Sequence, residues 1–195
     1  MILDLLNSMA VSFDLPILDW IAENLYCGFL DFLMPIITIF GDAGIFWIAC
    51  AVILIIFPKQ RRAGAAMLLA LVMGLVICNM ILKPGVGRIR PYDFKELHFN
   101  EAIVLLVDAQ HDFSFPSGHT IASFEAAVAL ALNNKKLGIP ALILACLIAF
   151  SRLYLYVHYP TDVIVSVVLG TLLAILANFL VHKAFDLYAK KKAAK

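Results

Sequence analysis

Long runs of apolar residues dominate the chain and predict most of its helices. A helix that crosses the hydrocarbon of a bilayer needs about 20 predominantly apolar residues. The runs that meet or approach this length lie at residues 43–57, 63–82, 118–132, 137–157 and 163–181. Glu125 and Arg152 are the charged side chains within them. The pattern therefore predicts five membrane-spanning helices.

The N-terminal part of the chain has a different pattern. Between residues 14 and 41, acidic side chains interrupt apolar positions at roughly helical spacing: Asp14, Asp19, Glu23 and Asp31. Such a pattern predicts amphipathic helices that lie in the membrane interface, although a sixth span over 28–41 is the alternative. The expected fold is an all-α integral membrane protein, a bundle of five to six transmembrane helices in a single domain over residues 1–195.

Composition and charge support a multi-pass membrane protein. The chain is 63% hydrophobic and 15% charged, whereas soluble domains have roughly 45–50% apolar and roughly 25% charged residues. A net charge of +1 gives no argument for nucleic acid as a partner. Membrane lipids are the expected partners, and the oligomeric state is left open.

The distribution of cations predicts the orientation. Lys and Arg in short loops mark the cytoplasmic side, and with alternating spans ten cations fall there: Lys59, Arg61, Arg62, Lys135, Lys136, Lys183, Lys190, Lys191, Lys192 and Lys195. The basic tail at about 183–195 is therefore expected in the cytoplasm. Five cations fall on the opposite face, against the rule: Lys83, Arg88, Arg90, Lys95 and Arg152. An anionic ligand bound at the extracytoplasmic surface would explain them.

The first cluster of polar residues follows the second predicted span, at the start of a long connection over 83–116. Pro84, Gly85 and Gly87 prevent the helix from continuing, so Lys83 and Arg90 can turn toward one point. Lysine provides a point charge, and arginine a planar fork that matches two phosphate oxygens. Anchoring of lipid headgroups is the structural alternative, and this segment alone is equally compatible with it.

The second cluster is Pro116-Ser117-Gly118-His119, at the start of the third predicted span. Ser117 is a good helix cap, and the free N–H groups of a helix start favour an anion. Gly118 leaves room for close approach, and His119 can donate a proton. A capped helix with an interfacial histidine is the structural alternative.

The third cluster connects the last two predicted spans. Arg152 near the end of an apolar helix is costly in lipid unless it faces a polar site. Pro160 forces a turn, which can bring Asp162 beside His158. An aspartate that accepts the Nδ1–H of a histidine leaves Nε2 free to attack. A structural His–Asp pair is equally compatible with this segment alone, but alternating spans bring all three clusters to one face, which predicts a phosphate site.

The three clusters resemble the motifs of the type 2 phosphatidic acid phosphatase family, which is related to vanadium haloperoxidases and bacterial acid phosphatases. The family pattern is K-x6-R-P, P-S-G-H and S-R-x5-H-x3-D, and all eleven fixed positions are present between residues 83 and 162. The resemblance implies that His158 is the nucleophile, that Asp162 orients it and that His119 is the acid and base. It also implies that the phosphate is bound by Lys83, Arg90, Ser117, Gly118 and Arg152.

The implied activity is hydrolysis of a lipid phosphate or diphosphate through a phosphohistidine, with no metal ion or cofactor. Opposite protonation states of the two histidines predict a bell-shaped pH–rate profile. Undecaprenyl diphosphate is the preferred substrate, with phosphatidylglycerophosphate or phosphatidic acid as alternatives. A lipid phosphotransferase would use the same histidine, whereas a lipid-phosphate binder or transporter would need only Lys83, Arg90 and Arg152. The role of Glu125 in its apolar helix stays open between structure and substrate specificity.

Overall fold

The computed structural model describes residues 2–193, and every regular element within them is helical, as predicted. The α-helices are α1 Ile2–Met9, α2 Leu15–Leu25, α3 Gly28–Ile39, α4 Ile45–Ile56, α5 Arg61–Gly74, α6 Lys83–Val86, α7 Pro91–Phe99, α8 Gly118–Asn133, α9 Lys135–Tyr154 and α10 Pro160–Ala193. Two π-helical segments, Ala10–Asp14 and Leu75–Leu82, and a 3-10 turn, Asp42–Gly44, join neighbouring helices. The five predicted spans coincide with α4, α5 with the second π-helical segment, α8, α9 and α10. Of these, α4 has 12 residues and reaches the length of a span only together with α3, and α8 has 16 residues.

Helix α8 forms the centre of the bundle and packs against α5, α9 and α10. Small side chains on these helices are fully buried and let the backbones approach closely, as in other membrane bundles: Ala126, Ala127, Ala129, Ala145, Ala174 and Ala177. Large apolar side chains such as Val168, Leu172 and Phe179 are exposed instead. This distribution of small inner and large outer residues suits a bundle surrounded by lipid.

The connections at 87–90, 100–117 and 155–159 lie at one end of the bundle, here called the upper end. Helices α1 and α2 lie across this end. The Leu6 carbonyl accepts a hydrogen bond from Arg88 at 2.8 Å, and Asp19 accepts one from Tyr156 at 2.7 Å. Leu6 and Asp19, the residues that make these two contacts, are about 20 Å apart along the helical segment. The segment Ile2–Leu25 is long and apolar enough to cross a membrane, yet both contacts are at the upper end, in agreement with an interfacial helix.

Helix α3 and the following break lie close to the last turns of α9. Asp31 accepts a hydrogen bond from the hydroxyl of Tyr154 at 2.6 Å, and α3 has 12 residues. Its length of about 18 Å is less than the hydrocarbon thickness of about 30 Å. Among the described residues, α3 can therefore count only with Asp42–Ile56 as one bent span, with an angle of 40° between the two parts. It does not form the alternative sixth span by itself.

The opposite, lower end carries the basic segments. Arg62 at the start of α5 binds Asp186 at 2.6 Å, and Asn133 donates a hydrogen bond to Asn178 at 2.7 Å. Helix α10 continues without interruption into the predicted basic tail as far as Ala193. Residues 194 and 195 of that tail lie outside the described residues.

Candidate active site

Lys83 and Arg90 converge on a single carboxylate at the upper end. Helix α6 ends after one turn at Gly87, whose φ of +66° is readily adopted only by glycine. The chain then reverses, and Arg90 precedes α7. Lys83 Nζ binds Oδ2 of Asp112, while Arg90 binds Oδ1 of the same side chain. Two cations from separate turns therefore hold two oxygens of one anion.

Asp112 belongs to the long connection 100–117 and is half exposed. Burial acts to raise the pKa of this carboxyl, but the Lys83 ammonium and the Arg90 guanidinium outweigh it and hold the pKa below its usual range. The side chain is therefore an anion at neutral pH. Its two oxygens occupy a place where two oxygens of a phosphate would meet the same donors.

His158 lies beside this pair of cations, in the connection between α9 and α10. Its side chain is 1% exposed, and its Nε2 is 3.2 Å from the guanidinium of Arg90. Burial lowers the pKa of His158 well below its usual value, and the nearby Arg90 and Arg152 lower it further. The imidazole is therefore neutral at pH 7. Its Nε2 faces the site formed by Lys83, Arg90 and Arg152, here called the cationic pocket.

Asp162 is the carboxylate next to the other ring nitrogen, one helical turn after His158. Its Oδ2 is 3.5 Å from Nδ1, and Nδ1 has no hydrogen-bond partner among the described residues. The predicted His–Asp pair is thus in contact, but its hydrogen bond is not formed in this state. Asp162 instead accepts hydrogen bonds from Ser114 and from the Tyr159 amide.

A buried arginine outside the motifs holds Asp162 in place. Arg88 binds Asp162 at 2.5 Å and Asp14 at 2.7 Å, and all three side chains are fully buried. The Arg88 guanidinium also lies 3.6 Å above the ring of Tyr159. The N-terminal helices are therefore part of the framework that positions the predicted catalytic carboxylate.

His119 stands in the first turn of α8, with the break between α3 and α4 beside it. Its Nε2 is 2.6 Å from Oδ1 of Asp42. The break approaches closely because Gly41 has no side chain: a Cβ there would lie 2.7 Å from Cδ2 of His119. The glycine-rich break thus brings an acidic partner to the second histidine.

Ser117 and Gly118 form the start of α8. The Ser117 hydroxyl is buried and accepts a hydrogen bond from the Thr120 amide at 3.4 Å, so it caps the helix. A Cβ added at Gly118 would contact only Asn79, at 3.7 Å, so one side of this helix start is open. The free N–H groups of the first turn are accessible from that side.

Arg152 approaches the site from the last turn of α9. One nitrogen of its guanidinium donates to Thr38 at 2.5 Å, while Nε and the other terminal nitrogen have no partner among the described residues. Unpaired donors of a buried arginine are costly and usually indicate a missing acceptor. An anion in the pocket would provide one.

A cavity of about 460 Å³ leads from the cationic pocket into the bundle. Lys83, Asp112 and His119 line its upper part. Apolar side chains line the rest of it, as far as Glu125: Ile48, Leu68, Leu71, Val72, Leu75 and Ile121. The cavity therefore joins a polar site for an anion to a deeper region suited to hydrocarbon.

The sequence predicted the residues around the pocket but not their acidic partners. The sequence gives only a weak indication of the contacts of Asp42 and Asp112. Asp42 is an acid next to a glycine, and Asp112 is an acid in the long connection. Arg88 was noticed only as a cation on the unexpected face. The sequence indicated Asp14 only as an acidic residue of an amphipathic segment, whereas the structure buries it fully against Arg88.

Comparison with known families supports the resemblance of the three motifs. The sequence model of the PAP2 superfamily matches residues 63–186. This chain belongs to the PAP2 superfamily.

The relatives of this chain include several phosphatases. The undecaprenyl-diphosphatase of Sulfolobus acidocaldarius is 31% identical over 149 residues, which cover 76% of this chain and 69% of the relative. Phosphatidylglycerophosphatase B of Bacillus subtilis is 32% identical over 173 residues, with 83% and 71% covered. The crystal structure of a transmembrane PAP2-type phosphatidylglycerolphosphate phosphatase from Bacillus subtilis matches with a TM-score of 0.65 and 29% identity, over 81% of this chain and 79% of that one.

Proposed function

We propose that this PAP2 protein is a lipid phosphatase that hydrolyses a phosphomonoester or diphosphate at the membrane surface. One observation carries the proposal: a single carboxylate is held by Lys83 and Arg90, with Nε2 of His158 3.2 Å from the same guanidinium. Undecaprenyl diphosphate is the preferred substrate and phosphatidylglycerophosphate or phosphatidic acid the alternatives. The similarity to an undecaprenyl-diphosphatase and to a phosphatidylglycerophosphatase supports this choice.

In the proposed complex, the phosphate replaces the carboxylate of Asp112. Its oxygens accept hydrogen bonds from Lys83 and Arg90, from the unpaired nitrogens of Arg152 and from the Gly118 amide. Positioned cations and helix-start N–H groups stabilise the charge on the equatorial oxygens in the transition state, as Mg²⁺ does in other phosphoryl-transfer sites. We therefore expect hydrolysis without a metal ion.

The proposed reaction has two displacements at phosphorus. Nε2 of His158 attacks, the bond from phosphorus to the leaving oxygen breaks, and His119 gives that oxygen a proton. His119 then takes a proton from a water molecule, which attacks the phosphohistidine and releases phosphate and neutral His158. Asp162 stabilises the imidazolium formed in the first step, and Asp42 orients the ring of His119.

The proposed orientation follows from the two ends of the bundle. Lys83, Arg90 and Arg152 meet at the upper end, whereas Arg62 and the basic end of α10 lie at the lower end. Because cytoplasmic loops are rich in Lys and Arg, the lower end and the C-terminus are assigned to the cytoplasm. The active site then faces the extracytoplasmic surface.

The pH dependence of kcat/KM is expected to be bell-shaped, with its acid limb below the ordinary histidine range of about 6.5. His158 attacks in its neutral form, and its pKa is lowered by burial and by the nearby cations. Activity should therefore persist as the pH falls through that range and be lost only below the lowered pKa. The alkaline limb arises when His119 loses its proton. A rate that rises steadily from acid to alkaline pH would contradict the assignment.

The function is tested by phosphate release from undecaprenyl diphosphate, phosphatidylglycerophosphate and phosphatidic acid, with purified protein in detergent and excess EDTA. Release from at least one of them is expected. Addition of a lipid alcohol separates hydrolysis from transfer, because a phosphotransferase would form a new lipid phosphate in place of free phosphate. Binding without release from any substrate would identify a lipid-phosphate binder and contradict the proposal.

A further inference from the structure

A carboxylic acid lies in the apolar part of the cavity, away from the residues of the proposed reaction. Glu125 is 1% exposed, and its Oε1 has no hydrogen-bond partner among the described residues. It lines the same cavity as Lys83 and His119. A buried polar atom without a partner is unfavourable, and a hydrogen bond to a bound ligand would satisfy it.

The position of Glu125 relates it to the phosphate site. It follows His119 by six residues on α8, which corresponds to about 9 Å along the helix axis. Long side chains on a helix lean toward its N-terminus, and the N-terminus of α8 lies at the cationic pocket. The carboxyl group therefore leans toward the site, at the level where the headgroup of a bound lipid gives way to its tail.

The facing wall of the cavity is shaped to accept this carboxyl group. A Cβ added at Gly74 would lie 2.2 Å from Oε1 and 2.3 Å from Oε2 of Glu125. Gly74 is the last residue of α5, immediately before the π-helical segment that leads to Lys83. Any larger residue at this position would displace the carboxyl group. The position of Glu125 on α8 therefore depends on the glycine on α5.

We propose that Glu125 is a specificity residue that donates a hydrogen bond to an oxygen at the junction between the reactive phosphate and the hydrocarbon of the lipid. The inference rests on the proposed function. Apolar surroundings favour the neutral acid, which has one O–H donor. Two chemistries supply such an acceptor oxygen: the inner phosphate of a polyprenyl diphosphate and the ester carbonyl of a glycerophospholipid. A simple alkyl monophosphate has only its bridging ester oxygen there, which is the leaving oxygen of the reaction.

The test compares kcat/KM for farnesyl diphosphate, dioleoyl phosphatidic acid and dodecyl phosphate. In Glu125→Leu, kcat/KM for at least one of the first two substrates, divided by kcat/KM for dodecyl phosphate, should fall about tenfold. This is the effect expected when one hydrogen bond is lost and the acceptor oxygen of the substrate is left unpaired. Glu125→Gln retains an N–H donor and should recover most of the ratio. The substrate whose ratio falls identifies the source of the oxygen.

Two further variants separate this role from a general effect on the bundle. Gly74→Ala should displace the carboxyl group and change the ratios in the same direction as Glu125→Leu. Glu23→Leu removes an exposed carboxylate of α2 and should change no ratio. Equal losses for all three substrates in Glu125→Leu, or unchanged ratios in an active enzyme, would overturn the role of Glu125. A wild-type protein that hydrolyses none of the three, and neither undecaprenyl diphosphate nor phosphatidylglycerophosphate, would overturn the proposed function itself.

Discussion

Replacement of His158 by alanine is expected to lower kcat/KM for every lipid phosphate by about 10⁴-fold or more. In the proposed reaction the imidazole Nε2 is the only protein atom that forms a bond to phosphorus, and loss of a catalytic nucleophile has effects of this order in other enzymes. Lys83, Arg90 and Arg152 remain in the variant and still provide the cationic pocket. Binding of inorganic phosphate, measured by competition in the wild type and by direct titration in the variant, should therefore change much less than catalysis.

A histidine outside the pocket, His98, provides the matched control. His98 lies on α7, where its ring stacks on Phe94 with a centroid distance of 4.1 Å. His98→Ala removes the same side chain from outside the pocket and should retain activity within a factor of about two or three. Acid-labile labelling of the wild type by a ³²P-labelled substrate, absent in His158→Ala, would identify the phosphohistidine. Activity of His158→Ala within tenfold of the wild type would rule out this nucleophile.

The sequence was sufficient to predict the assembly of the pocket because helix direction and motif spacing act together. Once five spans alternate, the segments at 83–90, 117–119 and 152–162 must emerge at the same end. Contrary to the prediction, the helix of the second span continues past Pro84 and Gly85. It ends at Gly87, and Pro160 reverses the chain before Asp162. These are local effects of residue type, so they can be inferred without knowledge of tertiary contacts.

The partners of the charged residues depended on tertiary contacts. Periodicity indicates which face of a helix is polar, but not whether a side chain on that face meets water or another element. The pattern around Asp14 therefore predicts an amphipathic helix, but it does not show that this carboxylate lies 2.7 Å from Arg88 in the interior. Asp112 comes from a long connection without a repeating pattern. Its position opposite Lys83 and Arg90 depends on the path of that loop, which residue spacing does not specify.

The two arginines near the first motif illustrate the same limit. Arg88 and Arg90 are separated by one residue, and both are almost completely buried. Arg90 turns toward His158, whereas Arg88 turns toward Asp162 and Asp14. Both residues are arginines, so residue type cannot tell them apart. Only the resemblance to the family identified Arg90 as the arginine predicted to bind phosphate. The structure adds that the other arginine supports the carboxylate behind the nucleophile.

Replacement of Arg88 by alanine is expected to lower the free energy of unfolding in detergent by about 3–5 kcal/mol, because it leaves uncompensated charge in the interior. Asp14 and Asp162 are both fully buried and both lose their guanidinium partner. Activity should also fall, since Asp162 is no longer held beside His158. Arg88→Lys keeps a charge but not the planar fork, so its free energy of unfolding should lie between those of the wild type and Arg88→Ala.

Two comparisons determine whether the effect arises from the buried charges. Arg61→Ala removes an exposed arginine at the start of α5 and should change stability by less than about 0.5 kcal/mol. Asp14→Asn combined with Arg88→Ala removes one of the two uncompensated carboxylates, so part of the lost stability should return. The two substitutions then act non-additively, as expected for residues in direct contact. Additive effects, or an Arg88→Ala variant within about 1 kcal/mol of the wild type, would mean that Asp162 is held by Ser114 and the Tyr159 amide without help from the N-terminal helices.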